Sequence, residues 1–312
     1  MQIFLETFLS LSPLYFFILV GILLRWCGVI TDALIYPLNK LVFNTFLPVS
    51  LYISIYNSRL SFDEGTDAIG FAVVCYIIIF VILIITVPRF IKARPTASTV
   101  VQGLFRSNFA LLGLAYATQL YGKTNIGIVS ILIAILVPLF NILAVINFTL
   151  FRCEKIKLST VLTGIIKNPL IIAAFLAFLT QLTKIHLPNI IYQPLDSLAN
   201  IALPLSLIIV GASLSLQNFR QNGKLIISVT SIRLVILPCI FICIAILFGF
   251  RGITLIALFT AFAGPCAVSS PAMAYQMGGD GDLAGQLVVS TTVLSLPTMY
   301  LLIVLLRSLG FC

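Results

Sequence analysis

From residue 4 to residue 306 the chain is a succession of apolar runs, each close to the ~20 residues a helix needs to cross a hydrocarbon core of roughly 30 Å. Ten such spans are read, over 4–24, 34–56, 68–88, 97–120, 125–150, 158–182, 190–216, 224–249, 253–277 and 283–306. The polar segments between them are too short to fold as a separate soluble domain. Spans 4 and 9 are the least apolar. Only 9% of the 312 residues are charged, and 61% are apolar. A soluble domain carries about 25% charged residues because it must clothe its surface in water. A chain with so few charges is expected to face acyl tails, as a polytopic all-α membrane protein.

In that setting the net charge of +9 sets orientation, since Lys and Arg collect in cytoplasmic loops, and no nucleic-acid partner is expected. With ten spans, the loops opposite the first residue hold ten cations: Arg25, Lys40, Arg89, Lys92, Arg94, Arg152, Lys155, Lys157, Arg220 and Lys224. The starting side holds five, Arg59, Lys123, Lys184, Arg251 and Arg307. Both termini are therefore expected outside the cytoplasm, with a bacterial inner (cell) membrane as the location. Omitting span 4 weakens the split to nine against six, which favours ten spans. The first run carries Glu6 and no cation before Arg25, unlike a cleavable signal, so it is read as a retained helix. The seven cysteines form no CxxC pair and sit mostly in apolar runs, where they act as small packing residues rather than disulfides or metal ligands.

Segment 35–53 matches segment 191–209 at eight of nineteen positions, including Tyr36/Tyr192, Asn44/Asn200, Pro48/Pro204 and Ser50/Ser206. Apolar sequence matches itself easily; paired Asn, Pro and Ser at fixed spacing do not arise from composition alone. The match sets span 2 on span 7, so each repeat holds five helices, over 1–152 and 153–312. Five is odd, so the second copy enters the membrane from the other side, the inverted-repeat architecture of many secondary transporters.

Spans 4 and 9 correspond under this alignment and both are interrupted. Span 4 places Arg106, Ser107 and Asn108 together ahead of Gly113; span 9 carries Gly264, Pro265, Ser269, Ser270 and Pro271. Proline and glycine break the helix there, and open backbone at membrane depth survives only inside protein or beside a watery cavity. Broken helices at matching places in two repeats point to a transport site. The free N–H groups and positive dipole ends they leave attract an anion without a fixed cation.

These residues resemble the auxin efflux carrier family, which includes plant auxin exporters and bacterial carriers for malonate, malate and similar anions. Asn44 to Ser50, Arg106-Ser107-Asn108 with Gly113 and Tyr121-Gly122, Lys167-Asn168-Pro169, and Gly264 to Pro271 with the helix from Leu283 to Pro297 carry the likeness. It implies ten helices in two inverted five-helix repeats, with helices 1, 2, 6 and 7 as a scaffold. Helices 3–5 and 8–10 would form a transport domain whose broken helices 4 and 9 cross, an architecture shared with the bile-acid symporters. The substrate implied is a carboxylate held at that crossing and moved by an elevator displacement. Plant members are similar in placing an Asn in each crossing helix; Asn108 fits the first, while the second break has Cys266, Ala267, Ser269 and Ser270 and no Asn.

Candidate substrate-binding residues are thus Asn108, Ser107, Asn44, Ser50, Cys266, Ser269, Ser270 and Arg106. Gly113, Gly264, Pro265, Pro271, Pro48 and Pro204 are candidates for helix breaks or gating. Plainer roles stand beside these: Asn108 as a polar residue that satisfies backbone freed by the break, Asn44 and Asn200 as interhelical glue, Pro48 and Pro204 as kinks, and Arg106 as a snorkelling cation. Arg233 is expected to be structural. No Asp or Glu lies deep in a span, which argues against a cation exchanger built on a buried carboxylate pair and leaves a coupling proton or sodium ion unassigned. Tyr121-Gly122-Lys123-Thr124 lacks the earlier glycine of a phosphate loop, and His186, the only histidine, lies in an outer loop. With no HExxH, GxSxG or Cys/His cluster, neither an enzyme, a cofactor nor a metal is expected. The partners expected are lipid and a small organic anion, with a homodimer left open. A sodium-coupled bile-acid-type symporter and a carboxylate sensor are the competing readings.

Overall fold

The computed structural model describes residues 2–57, 66–109, 127–152, 166–183, 185–214 and 221–311, without the side chains of 2–11, 127 and 130. In chain order its helices are α1 (Gln2–Trp26), α2 (Asp32–Asn57), α3 (Thr66–Phe90), α4 (Arg94–Phe105), α5 (Gly127–Arg152) and α6 (Pro169–Leu182). They continue as α7 (Asn189–Ser213), α8 (Gly223–Leu247), α9 (Gly252–Ala263), α10 (Ser270–Met277) and α11 (Gly281–Ser308). Among the described residues no strand occurs, and six helices are long and apolar enough to cross a membrane: α2, α3, α7, α8, α11 and, counted from Ile131, α5. Three shorter apolar helices, Ser12–Trp26, Pro169–Leu182 and Gly252–Ala263, join them. Large apolar side chains such as Phe16, Trp26, Phe90 and Leu247 stand on the outside, as expected of surfaces that face acyl chains.

Three expected spans are not single helices. Helical bonding in span 4 stops at Phe105, and the stretch from 110 to 120 lies outside the described residues. Span 9 is divided into α9 and α10. In span 6 the helix restarts at Pro169 rather than running from 158, because the Asn168 side chain accepts the Leu170 N–H at 2.9 Å and Pro169 takes the first turn. An Asn cap followed by proline is a start signal that hydropathy does not register.

Proline also acts inside α2 and α8. Each contains a single π turn, Val42–Phe46 and Ile232–Ile236, and in each a proline follows two residues later, Pro48 and Pro238. Proline has no N–H, and its ring collides with the carbonyl four residues back; widening the turn by one residue moves that carbonyl aside. Pro204, the repeat partner of Pro48, sits instead within the unbroken α-helix α7.

The packing is closest where α1 meets α7. A Cβ on Gly21 would lie 2.0 Å from the Ile208 carbonyl oxygen, and one on Gly211 would lie 2.1 Å from that of Ile18. Small residues that let backbones touch are the usual glue between helices in lipid. The second half of α2 lies along α6 and α7, and Asn57 at its end meets Tyr192 near the start of α7 at 3.0 Å. Elsewhere α4 packs between α3 and α5, and α11 lies against α4, α8 and α10.

Candidate functional site

The two interruptions meet. After Phe105 the backbone of Arg106 is extended, and so is that of Gly264 after Ala263. Ser107 and Cys266 then pair as a short antiparallel bridge, in which the Asn108 N–H donates to the Pro265 carbonyl at 2.8 Å and the Ala267 N–H to that of Arg106 at 3.3 Å. Backbone freed by each break is thus satisfied by the other, which removes the cost of leaving it bare. The Cys266 N–H is taken by the Thr291 hydroxyl at 3.0 Å, and its thiol donates to the Gly103 carbonyl at 3.1 Å. Gly264 is required by this contact: a Cβ there would lie 2.5 Å from the Ser107 hydroxyl oxygen.

Arg233, from the π turn of α8, closes the same junction. Its Nε donates to the Gly264 carbonyl at 3.0 Å and its Nη1 to the Leu104 carbonyl at 2.9 Å, so one buried guanidinium binds the C-terminal ends of both α4 and α9. A cation at a helix C-terminus meets the negative end of the dipole and the last unpaired carbonyls.

Beside the bridge lies a cavity of about 320 Å³. One wall is the interruptions themselves, with Arg106, Ser107, Asn108 and Ser269; the other comes from α2 and α7, with Ser50, Ser54 and Ser206. α10 begins at Ser270, so its N-terminal end and partial positive charge face this space across Ala267, Val268 and Ser269. Arg106 is 4% exposed and, among the described residues, bonds to neutral groups, the Asn141 amide oxygen at 2.6 Å and the Met273 sulfur at 3.1 Å. Asn141 is in turn held by the Val137 carbonyl at 2.9 Å. The Asn108 Nδ2 and Ser107 Oγ atoms are buried without a partner. Buried donors left unpaired are costly, and donors gathered around a cationic pocket suit an oxyanion.

The family model described as a membrane transport protein matches residues 7–303. The chain belongs to the auxin efflux carrier family. No curated protein matches it. As a member of this family the carrier is a membrane transporter, in keeping with its apolar helices. Within it, the sequence candidates separate by position. Asn108, Ser107, Arg106, Ser269 and Ser50 line the cavity. Cys266 and Ser270 are buried in the junction just outside it, with the Ser270 hydroxyl unpartnered. Pro265 supplies the carbonyl that receives Asn108, and Pro271 occupies the first turn of α10. Gly113 lies outside the described residues.

Asn44 is not brought to the cavity. It is exposed, and its amide turns back to the Lys40 carbonyl at 2.8 Å; Asn200 likewise turns to Asp196 at 3.1 Å. Both satisfy themselves one turn away along their own helices. Neither Pro48 nor Pro204 lines the cavity. Arg106 does not reach for headgroups, because Asn141 and Met273 hold it in the interior. Sequence reasoning missed Asn141, whose only signal is that it stands polar within the apolar α5, and Ser206, the repeat partner of Ser50.

Proposed function

We propose that this transporter carries small organic anions bearing a carboxylate, and that the cavity beside Ser107–Cys266 is its binding site. The observation that carries this reading is the donor set: Arg106 with no acidic residue among the described residues that line the cavity, and the unpartnered Asn108 and Ser107 groups beside it. Asn108, Ser107 and Ser269 hydrogen-bond the carboxylate, Arg106 balances its charge, and the N-terminal end of α10 adds its dipole. Small mono- and dicarboxylates and auxin-like acids fit 320 Å³.

The movement we propose is an elevator displacement between two alternating-access states. α4 with its neighbours and α8–α11 travel together, tied by the bridge and by Arg233, against α1, α2, α6 and α7. The repeat at 35–53 and 191–209 and the two-sided lining of the cavity support this: Ser50 and Ser206 stand on one side, Arg106 and Ser269 on the other. Ten spans in two inverted halves, with both termini outside the cytoplasm, complete the arrangement.

The test is uptake of labelled carboxylates into proteoliposomes. Asn108→Ala is expected to abolish transport while the protein still inserts and keeps its unfolding temperature within a few degrees. Normal transport by that variant would remove Asn108 from the site; failure of every carboxylate with the unaltered protein would remove the substrate class.

A further inference from the structure

Among the described residues only two charged side chains are buried, Arg106 and Arg233. They differ in what compensates them. Arg233 binds two helix C-terminal ends, through Leu104 and Gly264. Each end carries roughly half a negative charge, so together they offset about one unit. Arg106 binds an amide oxygen and a thioether sulfur, which carry no net charge. No described carboxylate forms an ion pair with it; the one described salt bridge joins Arg25 to Asp32. Nor does the chain supply an acid nearby in sequence, since no Asp or Glu occurs between Asp67 and Glu154 or between Asp196 and Asp280.

An uncompensated charge in a low-dielectric interior is expensive, and a counter-ion of equal charge held by well-placed hydrogen bonds offsets much of that expense. We infer that the cavity is built for a single negative charge: the substrate is a monoanion, the occupied site is close to neutral, and a dicarboxylate binds only with its second carboxyl protonated. This rests on the organic-anion reading and narrows it. The serine and asparagine groups carry no net charge, and the α10 terminus adds only about half a positive unit, short of what a second carboxylate would need. With a dianion the occupied site would carry a net negative charge, and the desolvation cost would return with the opposite sign.

Calorimetric titration of the purified protein in nanodiscs tests this with two probes of nearly equal size, succinate and monomethyl succinate. Near pH 7.5 the monoester is expected to bind at least about tenfold more tightly, a difference of ~1.4 kcal/mol. Succinate affinity is expected to rise as the pH falls towards about 5, where its second carboxyl protonates, while the monoester stays level. Arg106→Lys keeps the charge and is expected to keep the preference; Arg106→Gln is expected to lose it. Succinate binding as tightly as the monoester near pH 7.5, or a preference that survives Arg106→Gln, would overturn the inference and leave the organic-anion reading standing. If no carboxylate binds at either pH, both fall together.

Discussion

Gly264 leaves no room for a methyl group, because its Cβ would meet the Ser107 oxygen at 2.5 Å and the Thr260 carbonyl at 3.0 Å. Gly264→Ala is therefore expected to destabilise the protein by about 1–3 kcal/mol, the usual cost of overpacking. Adding Ser107→Gly removes one of the two obstacles, so thermal unfolding should show partial recovery in the double variant, a coupling that independent sites lack. Arg233→Ala strips the carbonyls of Leu104 and Gly264 of a charged donor. Hydrogen bonds to charged groups contribute about 1.5–3 kcal/mol each, so a fall of several degrees in unfolding temperature is expected. A drop no larger than that of an exposed control such as Arg307→Ala would contradict this role. At this scale Arg106, Ser107, Asn108 and Ser269 were legible as polar residues beside helix breakers. Asn141 was not, since its importance comes from a partner on another helix.

Helix phase is decided by proline in α2. Pro48 follows the π turn Val42–Phe46, and the extra residue there rotates the second half of the helix by about 100° relative to a continuous α-helix. That rotation turns Ser50 and Leu51 to the cavity. Pro48→Ala removes the clash that the π turn relieves, so α2 is expected to tighten and carry Ser50 off the wall. Labelling of Ser50→Cys by a water-soluble thiol reagent should then slow severalfold, measured with the exposed Cys27, Cys239 and Cys243 replaced by serine. Unchanged labelling would mean that packing, not proline, holds the π turn. The helices themselves were legible from hydropathy; the π turns were not, because one extra residue per turn leaves an apolar run looking the same. The start of α6 at Pro169 escaped for the opposite reason, as one polar capping residue ended a run that mean hydropathy treats as continuous.

For the whole molecule, the loop cations are expected to place both ends outside the cytoplasm. A C-terminal alkaline phosphatase fusion should be active in cells and a green fluorescent protein fusion dark; the reverse pattern would put the C-terminus in the cytoplasm and overturn this orientation. The α1–α7 contact binds the first and second halves of the chain backbone to backbone. Gly21→Leu is expected to force these helices apart, with loss of folded yield measured by size-exclusion chromatography, because the obstacle is the Ile208 carbonyl at 2.0 Å rather than a movable side chain.

The amino-acid sequence alone determined the membrane setting of this chain, the approximate course of most of its described helices, the two interruptions and its family, because each is carried by segments that can be read without their partners. Tertiary structure decided that the interruptions pair at Ser107 and Cys266, that Asn108 faces a cavity while Asn44 turns away, and that Arg233 meets two helix ends while Arg106, among the described residues, meets neutral groups. Those outcomes depend on helix phase and on what arrives from distant parts of the chain, and a buried polar group takes its meaning from its partner.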